Sequence, residues 1–165
     1  MITLPLLLGA LGALLQVSVL PVFYPEPWAT PLLPCALVAA WAATRQPEES
    51  WPIVLASAVL LGIASVERSG WFLIALLPTF GVGLAIGSFA PRHHNFGARL
   101  GRATATAATG AVCYLGTLAL ASGSVVGLVA AVPAVALAGL GTAVLAAIAV
   151  VALIPLRPRR AGLFS

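Results

Sequence analysis

The chain contains no aspartate and no lysine. Its eight basic residues are all arginine, and its four acidic residues are Glu26, Glu48, Glu49 and Glu67. Charged residues make up only 7% of it, against roughly 25% in a soluble globule. That scarcity excludes an ordinary water-soluble domain. There are two cysteines, Cys35 and Cys113, each inside an apolar run. Such placement argues against a disulfide framework, a metal pair or a catalytic thiol, and reads as packing. The two histidines, His93 and His94, are neighbours. A metal needs further converging ligands, so no metal and no cofactor is expected. No phosphate-cradling glycine loop, H-E-x-x-H, G-x-S-x-G or C-x-x-C occurs, and no ionisable side chain falls in the middle of an apolar run. An intramembrane charge is the usual mark of an ion or proton path, and this chain offers none. Glu48 and Glu49, adjacent on one short loop, have no companion residues for acid–base work. The chain is read as no enzyme.

Hydrophobic residues make up 61% of the 165 positions, and the mean hydropathy is +1.11. A spanning helix takes about 20 apolar residues, so the length accommodates about six spans with short loops. The pattern predicts an all-α polytopic membrane protein, one integral membrane domain over residues 1–165. The six transmembrane helices fall at about 4–23, 28–44, 50–66, 71–90, 103–121 and 134–156. The first run extends to Phe23 without a basic leader or a small-x-small cleavage site and is expected to remain as a span. Thr30 is the expected cap of the second helix, with Pro31 at its first position, and Ser50 that of the third, with Pro52 just inside. Pro78, followed by Gly81, Gly83 and Gly87, predicts a kink or hinge in the fourth. Pro133 divides the last apolar run, leaving 125–133 as an interfacial or re-entrant turn or as part of the last span.

The longest polar interruption, Pro91–Arg102, holds Arg92, Arg99 and Arg102 and no acid. Short cytoplasmic loops collect arginine. With six spans, this loop, Arg45 and the tail with Arg157, Arg159 and Arg160 share one side, leaving Arg68 alone opposite. Both termini are therefore expected in the cytoplasm. Trp28 and Trp71 then mark outer ends and Trp41 and Trp51 inner ends, as an aromatic belt does. The net charge of +4 sits at the ends of apolar runs, where it suits anionic lipid headgroups and not nucleic acid.

Packing signals are the richest local feature. Gly83-x-x-x-Gly87 permits close approach on the fourth helix. Thr109, Cys113 and Thr117 repeat every fourth residue on the fifth. Small faces of this kind associate helices within lipid, either inside the bundle or against a partner. Glu67-Arg68 is the one acid–base pair opposite the arginine side, a solvated turn or a docking point. Gln16, the polar side chain of the first span, reads as interhelical glue.

Three stretches, Leu14–Phe23 (LLQVSVLPVF), Ala29–Ala43 (ATPLLPCALVAAWAA) and Ala58–Leu76 (AVLLGIASVERSGWFLIAL), together with short loops and a basic tail, resemble the MreD family of bacterial rod-shape-determining membrane proteins. Gly62, Glu67 and Gly70 stand where that family carries a glycine, an acidic residue and a glycine-containing turn. The family's Asp-Leu and longer turn are replaced here by Glu-Arg and a short one. The resemblance implies a non-enzymatic scaffold of the cell-wall elongation (rod) complex in the bacterial inner membrane. Its partners would be an MreC-like single-span protein and wall-synthesis enzymes. Candidate interface residues are Glu67, Arg68, Gly83, Gly87, Thr109, Cys113 and Thr117. The alternative is the substrate-binding S component of an energy-coupling-factor vitamin transporter, with Gly9-x-x-x-Ala13 as its coupling face.

Overall fold

The computed structural model describes residues 2–24, 26–65, 69–89, 95–123, 127 and 130–155. Among them the chain is helical, with no strand. Six helices order it: α1 (Thr3–Ser18, continued by Leu20–Phe23), α2 (Leu33–Thr44), α3 (Trp51–Ala64), α4 (Ser69–Phe89), α5 (Phe96–Ala121) and α6 (Val132–Leu153). Four stretches are long and apolar enough to cross a membrane: Thr3–Phe23, Ser69–Gly87, Phe96–Ala121 and Val132–Leu153. Leu7, Ile74, Leu137, Leu140 and Ile148 stand exposed on them. Outward apolar faces of that extent suit hydrocarbon and not water.

The two remaining helices are shorter than the sequence suggests. α2 has 12 residues and α3 has 14, about 18 and 21 Å at 1.5 Å per residue, against about 30 Å of hydrocarbon. Regular helix therefore covers Leu33–Thr44 and Trp51–Ala64 within the expected spans 28–44 and 50–66. At α2 the cause is local. Thr30 precedes Pro31 and is held extended (φ −70°, ψ 122°), because a proline disfavours helix at the residue before it. Helix starts only at Leu33, with Pro34 in the first turn. Thr30 is therefore no cap; its hydroxyl donates to the Glu26 carbonyl at 3.1 Å. Ser50 does occupy the α3 cap position with Pro52 inside, but its hydroxyl turns back to the Pro47 carbonyl.

α5 departs in the other direction. It begins at Phe96, so Arg99 and Arg102 ride its first turns and are not loop residues. The Arg102 Nε–H donates to the Ala98 carbonyl one turn back. α4 is continuous helix across Pro78, the site of the expected kink, and Ala75, Leu76 and Thr79 on either side are fully buried, the kind of packing that lets a spanning helix tolerate a proline. Of 125–133, Gly127 and Ala130 are helical and the Ala131 N–H bonds the Gly127 carbonyl; residues 124–126 and 128–129 lie outside the described ones.

The shortest helix is the central one. α2 touches α1, α3, α4, α5 and α6, and Cys35, Ala36, Val38, Ala39, Ala40 and Trp41 are all buried in it. Around it, α1 packs on α3, α3 on α4, α4 on α5 and α5 on α6. Small side chains at Ala103, Ala107, Ala111, Ala138 and Ala146 let these helices approach. At Gly9 the approach is backbone to backbone: a Cβ there would lie 2.7 Å from the Ile53 carbonyl oxygen and 2.9 Å from its Cα. Ser57 seals the contact by donating to the Gly9 carbonyl at 3.1 Å.

Candidate functional site

α2 begins among buried residues, with Pro31, Leu32 and Pro34 all buried. Its own sequence supplies no capping side chain, yet the first N–H groups of a helix need partners. Other helices provide them. The Leu32 N–H donates to Thr142 Oγ1 of α6 at 2.9 Å, and the Leu33 N–H to Gln16 Oε1 of α1 at 2.8 Å. Thr142 is wholly buried and donates its own proton to the Ala138 carbonyl at 2.6 Å. Gln16 and Thr142 thus hold the central helix from two sides.

Beside this start lies a cavity of about 420 Å³. Its walls come from the ends of α1 (Gln16, Val17), α3 (Leu61, Ser65), α4 (Phe72) and α5 (Tyr114, Leu115, Leu118, Ser122). The segment into α2, with Trp28, Thr30 and Leu32, closes it. No charged side chain occurs among the described residues that line it. Phe72 and Tyr114 face one another with ring centroids 6.5 Å apart. Tyr114 is only 4% exposed.

Arg45, Arg99 and Arg102 lie at the opposite end, at the C-terminus of α2 and the N-terminus of α5. The Arg45 guanidinium stacks on Trp41, 4.5 Å from the ring centroid. Trp41 is only 1% exposed, so it is a core residue and not part of an aromatic belt. Trp51 and Trp71 do reach the surface, and Trp28 lines the cavity.

The candidate interface residues that are described do not form one surface. Gly83 looks inward, where a Cβ would meet the Ala42 side chain at 3.1 Å; at Gly87 it would meet Pro47 at 2.9 Å. The crevice beside them, shared with Arg102 and Thr106, holds about 10 Å³, at the lower limit for a single water. These two glycines serve packing within the chain, which corrects their assignment to a partner. Thr109 is exposed, and Cys113 and Thr117 are half-buried; Thr117 donates to the Cys113 carbonyl at 2.9 Å. Glu67, Arg68, Arg92, His93, His94, Arg157, Arg159 and Arg160 lie outside the described residues. Among the described residues no three His, Cys, Asp or Glu side chains converge.

Compared with protein-family models, with curated proteins and with solved structures, the chain matches none. Function is therefore argued from the geometry and the residue pattern. The cavity is not legible in the sequence because its walls are contributed by five separate segments; the polar Gln16 inside an apolar run is the one visible signal of it.

Proposed function

We propose that the chain is a non-enzymatic membrane scaffold of the MreD type. In this reading it crosses the bacterial inner membrane six times, with α2 and α3 as short crossings and both termini in the cytoplasm. It holds an MreC-like single-span partner beside wall-synthesis enzymes and so helps control cell shape. One observation carries the reading: the outward face of α5. Ala105, Thr109, Val112, Gly116 and Leu120 follow at intervals of four or three, which places them on one side of the helix. Ala105, Thr109, Val112 and Leu120 are exposed, and a Cβ at Gly116 would meet nothing within 4 Å. The most apolar 18-residue stretch of α5 has a mean hydropathy of 1.3, the lowest such value among the four long helices. A face that carries alanine, threonine and glycine beside Val112 and Leu120 admits the backbone of another helix closely.

Gly116→Leu and Thr109→Leu enlarge that face without touching this chain's own core. Co-purification of wall-synthesis proteins in mild detergent is expected to fall sharply, while the variants keep their thermal stability. Undiminished recovery of the same proteins would overturn the reading. A second reading, the S component of a vitamin transporter, is favoured by the cavity; there the co-purifying protein would be an ATPase module instead.

A further inference from the structure

We propose that the cavity beside the start of α2 is a binding site for a neutral, mainly apolar small molecule bearing a hydrogen-bond acceptor. The molecule would be held by the Tyr114 hydroxyl with the Gln16 amide beside it. This holds whether the chain works as a scaffold or as a transporter component.

The volume of about 420 Å³ falls within the range of about 300–1,000 Å³ usual for small-ligand pockets. The walls decide the ligand's body. Val17, Leu32, Leu61, Phe72, Leu115 and Leu118 are apolar, and a charged ligand would surrender its hydration there without gaining a counter-charge. The polar groups decide its handle. Tyr114 lines the cavity, the residue as a whole is only 4% exposed, and among the described residues its hydroxyl has no hydrogen-bond partner. A phenol is a ready donor. Gln16 has spent its Oε1 on the Leu33 N–H; because that partner is a donor, the amide orientation follows. Its NH₂ group remains without a bond of its own. Thr30 and Ser122, also in the lining, have already donated their protons to the Glu26 and Leu118 carbonyls. Free donors therefore prevail, and the N-terminal end of α2 adds partial positive charge. A carbonyl or ether oxygen on an apolar body is what complements them. Such chemistry comes from two sources, the ester end of a bilayer lipid or a neutral molecule entering from solution.

The test uses the full chain in detergent and the naphthyl ketone Prodan, which is neutral and apolar, carries one carbonyl acceptor, and is read by energy transfer from tryptophan. Saturable transfer is expected, abolished by Leu118→Trp, which fills the cavity. Tyr114→Phe should weaken binding roughly three- to tenfold, the worth of one hydrogen bond. The 2-naphthoate anion should not compete. Transfer that is non-saturable and equal in all variants, as for simple partition into the micelle, would overturn the proposal. So would affinity unchanged in Tyr114→Phe. Mass spectrometry of the purified protein separates the sources: a stoichiometric lipid displaced by Prodan supports the bilayer, and an empty cavity that still binds Prodan supports solution.

Discussion

Thr142→Val tests how the central helix is anchored. Threonine and valine have nearly the same shape, and Thr142 is 0% exposed, so the substitution changes chemistry with little change in packing. The hydroxyl does two things: it accepts from the Leu32 N–H at 2.9 Å and donates to the Ala138 carbonyl at 2.6 Å. The Ala138 carbonyl keeps a helical partner when the hydroxyl goes. The Leu32 N–H is left without one, on a residue only 5% exposed. An orphaned buried donor costs about 1–3 kcal/mol, and the gained methyl returns at most about 0.8 kcal/mol. The expected net loss is about 1 kcal/mol, the middle of the roughly 0.2–2.2 kcal/mol that these figures leave. That exceeds the average interhelical side-chain bond in membranes, about 0.6 kcal/mol, because what is left behind is a fixed backbone group and not a side chain free to find another partner. Thr117→Val is the control. Its hydroxyl only donates, to the Cys113 carbonyl at 2.9 Å, and its loss should cost under about 0.5 kcal/mol. Reversible unfolding in mixed detergent, followed by far-UV circular dichroism, measures both. Equal losses in the two variants, or a loss at Thr142 below about 0.5 kcal/mol, would refute the capping argument. Gln16→Leu, which orphans the Leu33 N–H at the cavity edge, should fall between them.

Gly9→Ala drives a methyl against the Ile53 backbone and should lower stability by about 1–3 kcal/mol, whereas Gly116→Ala enters open space and should be neutral or stabilising by up to about 1 kcal/mol; the reverse order in thermal melts would contradict the α1–α3 contact. Pro78→Ala restores a backbone donor to a helix that is already continuous, so a gain of roughly 1–2 kcal/mol is expected, and a loss would mean that the bundle depends on the proline. A reporter active only outside the cytoplasm, fused after Ser165, should stay silent, because seven of the eight arginines then lie inside; activity would require an odd number of crossings. Neutralising Arg92, Arg99 and Arg102 together should yield mixed orientation in protease-accessibility assays, and a single retained orientation would assign the signal to the tail.

Helical class, apolar outer faces and the placement of Arg45, Arg99 and Arg102 at one end are legible in the residues alone. Hydropathy and charge report the solvent a segment meets, and that information is local. Gln16 stands out for the same reason, as a polar side chain in an apolar run. Helix length is less legible. α2 is as apolar as any span, but apolarity does not separate a helix that crosses lipid from one enclosed by its neighbours. α5 runs further than expected because Arg99 and Arg102 carry charge without opposing helix. The use of each small residue is beyond the sequence altogether. Gly83 and Gly116 look alike in the chain, yet one faces Ala42 and Thr106 and the other faces open space. Trp41 has the sequence position of an interfacial residue, but α2 is the centre of the bundle and buries it. The cavity likewise exists only because α2 starts late, inside the fold, on bonds to α1 and α6 that span 17 and 110 residues. Contacts at such separations depend on where other helices come to rest, so tertiary structure alone decides them.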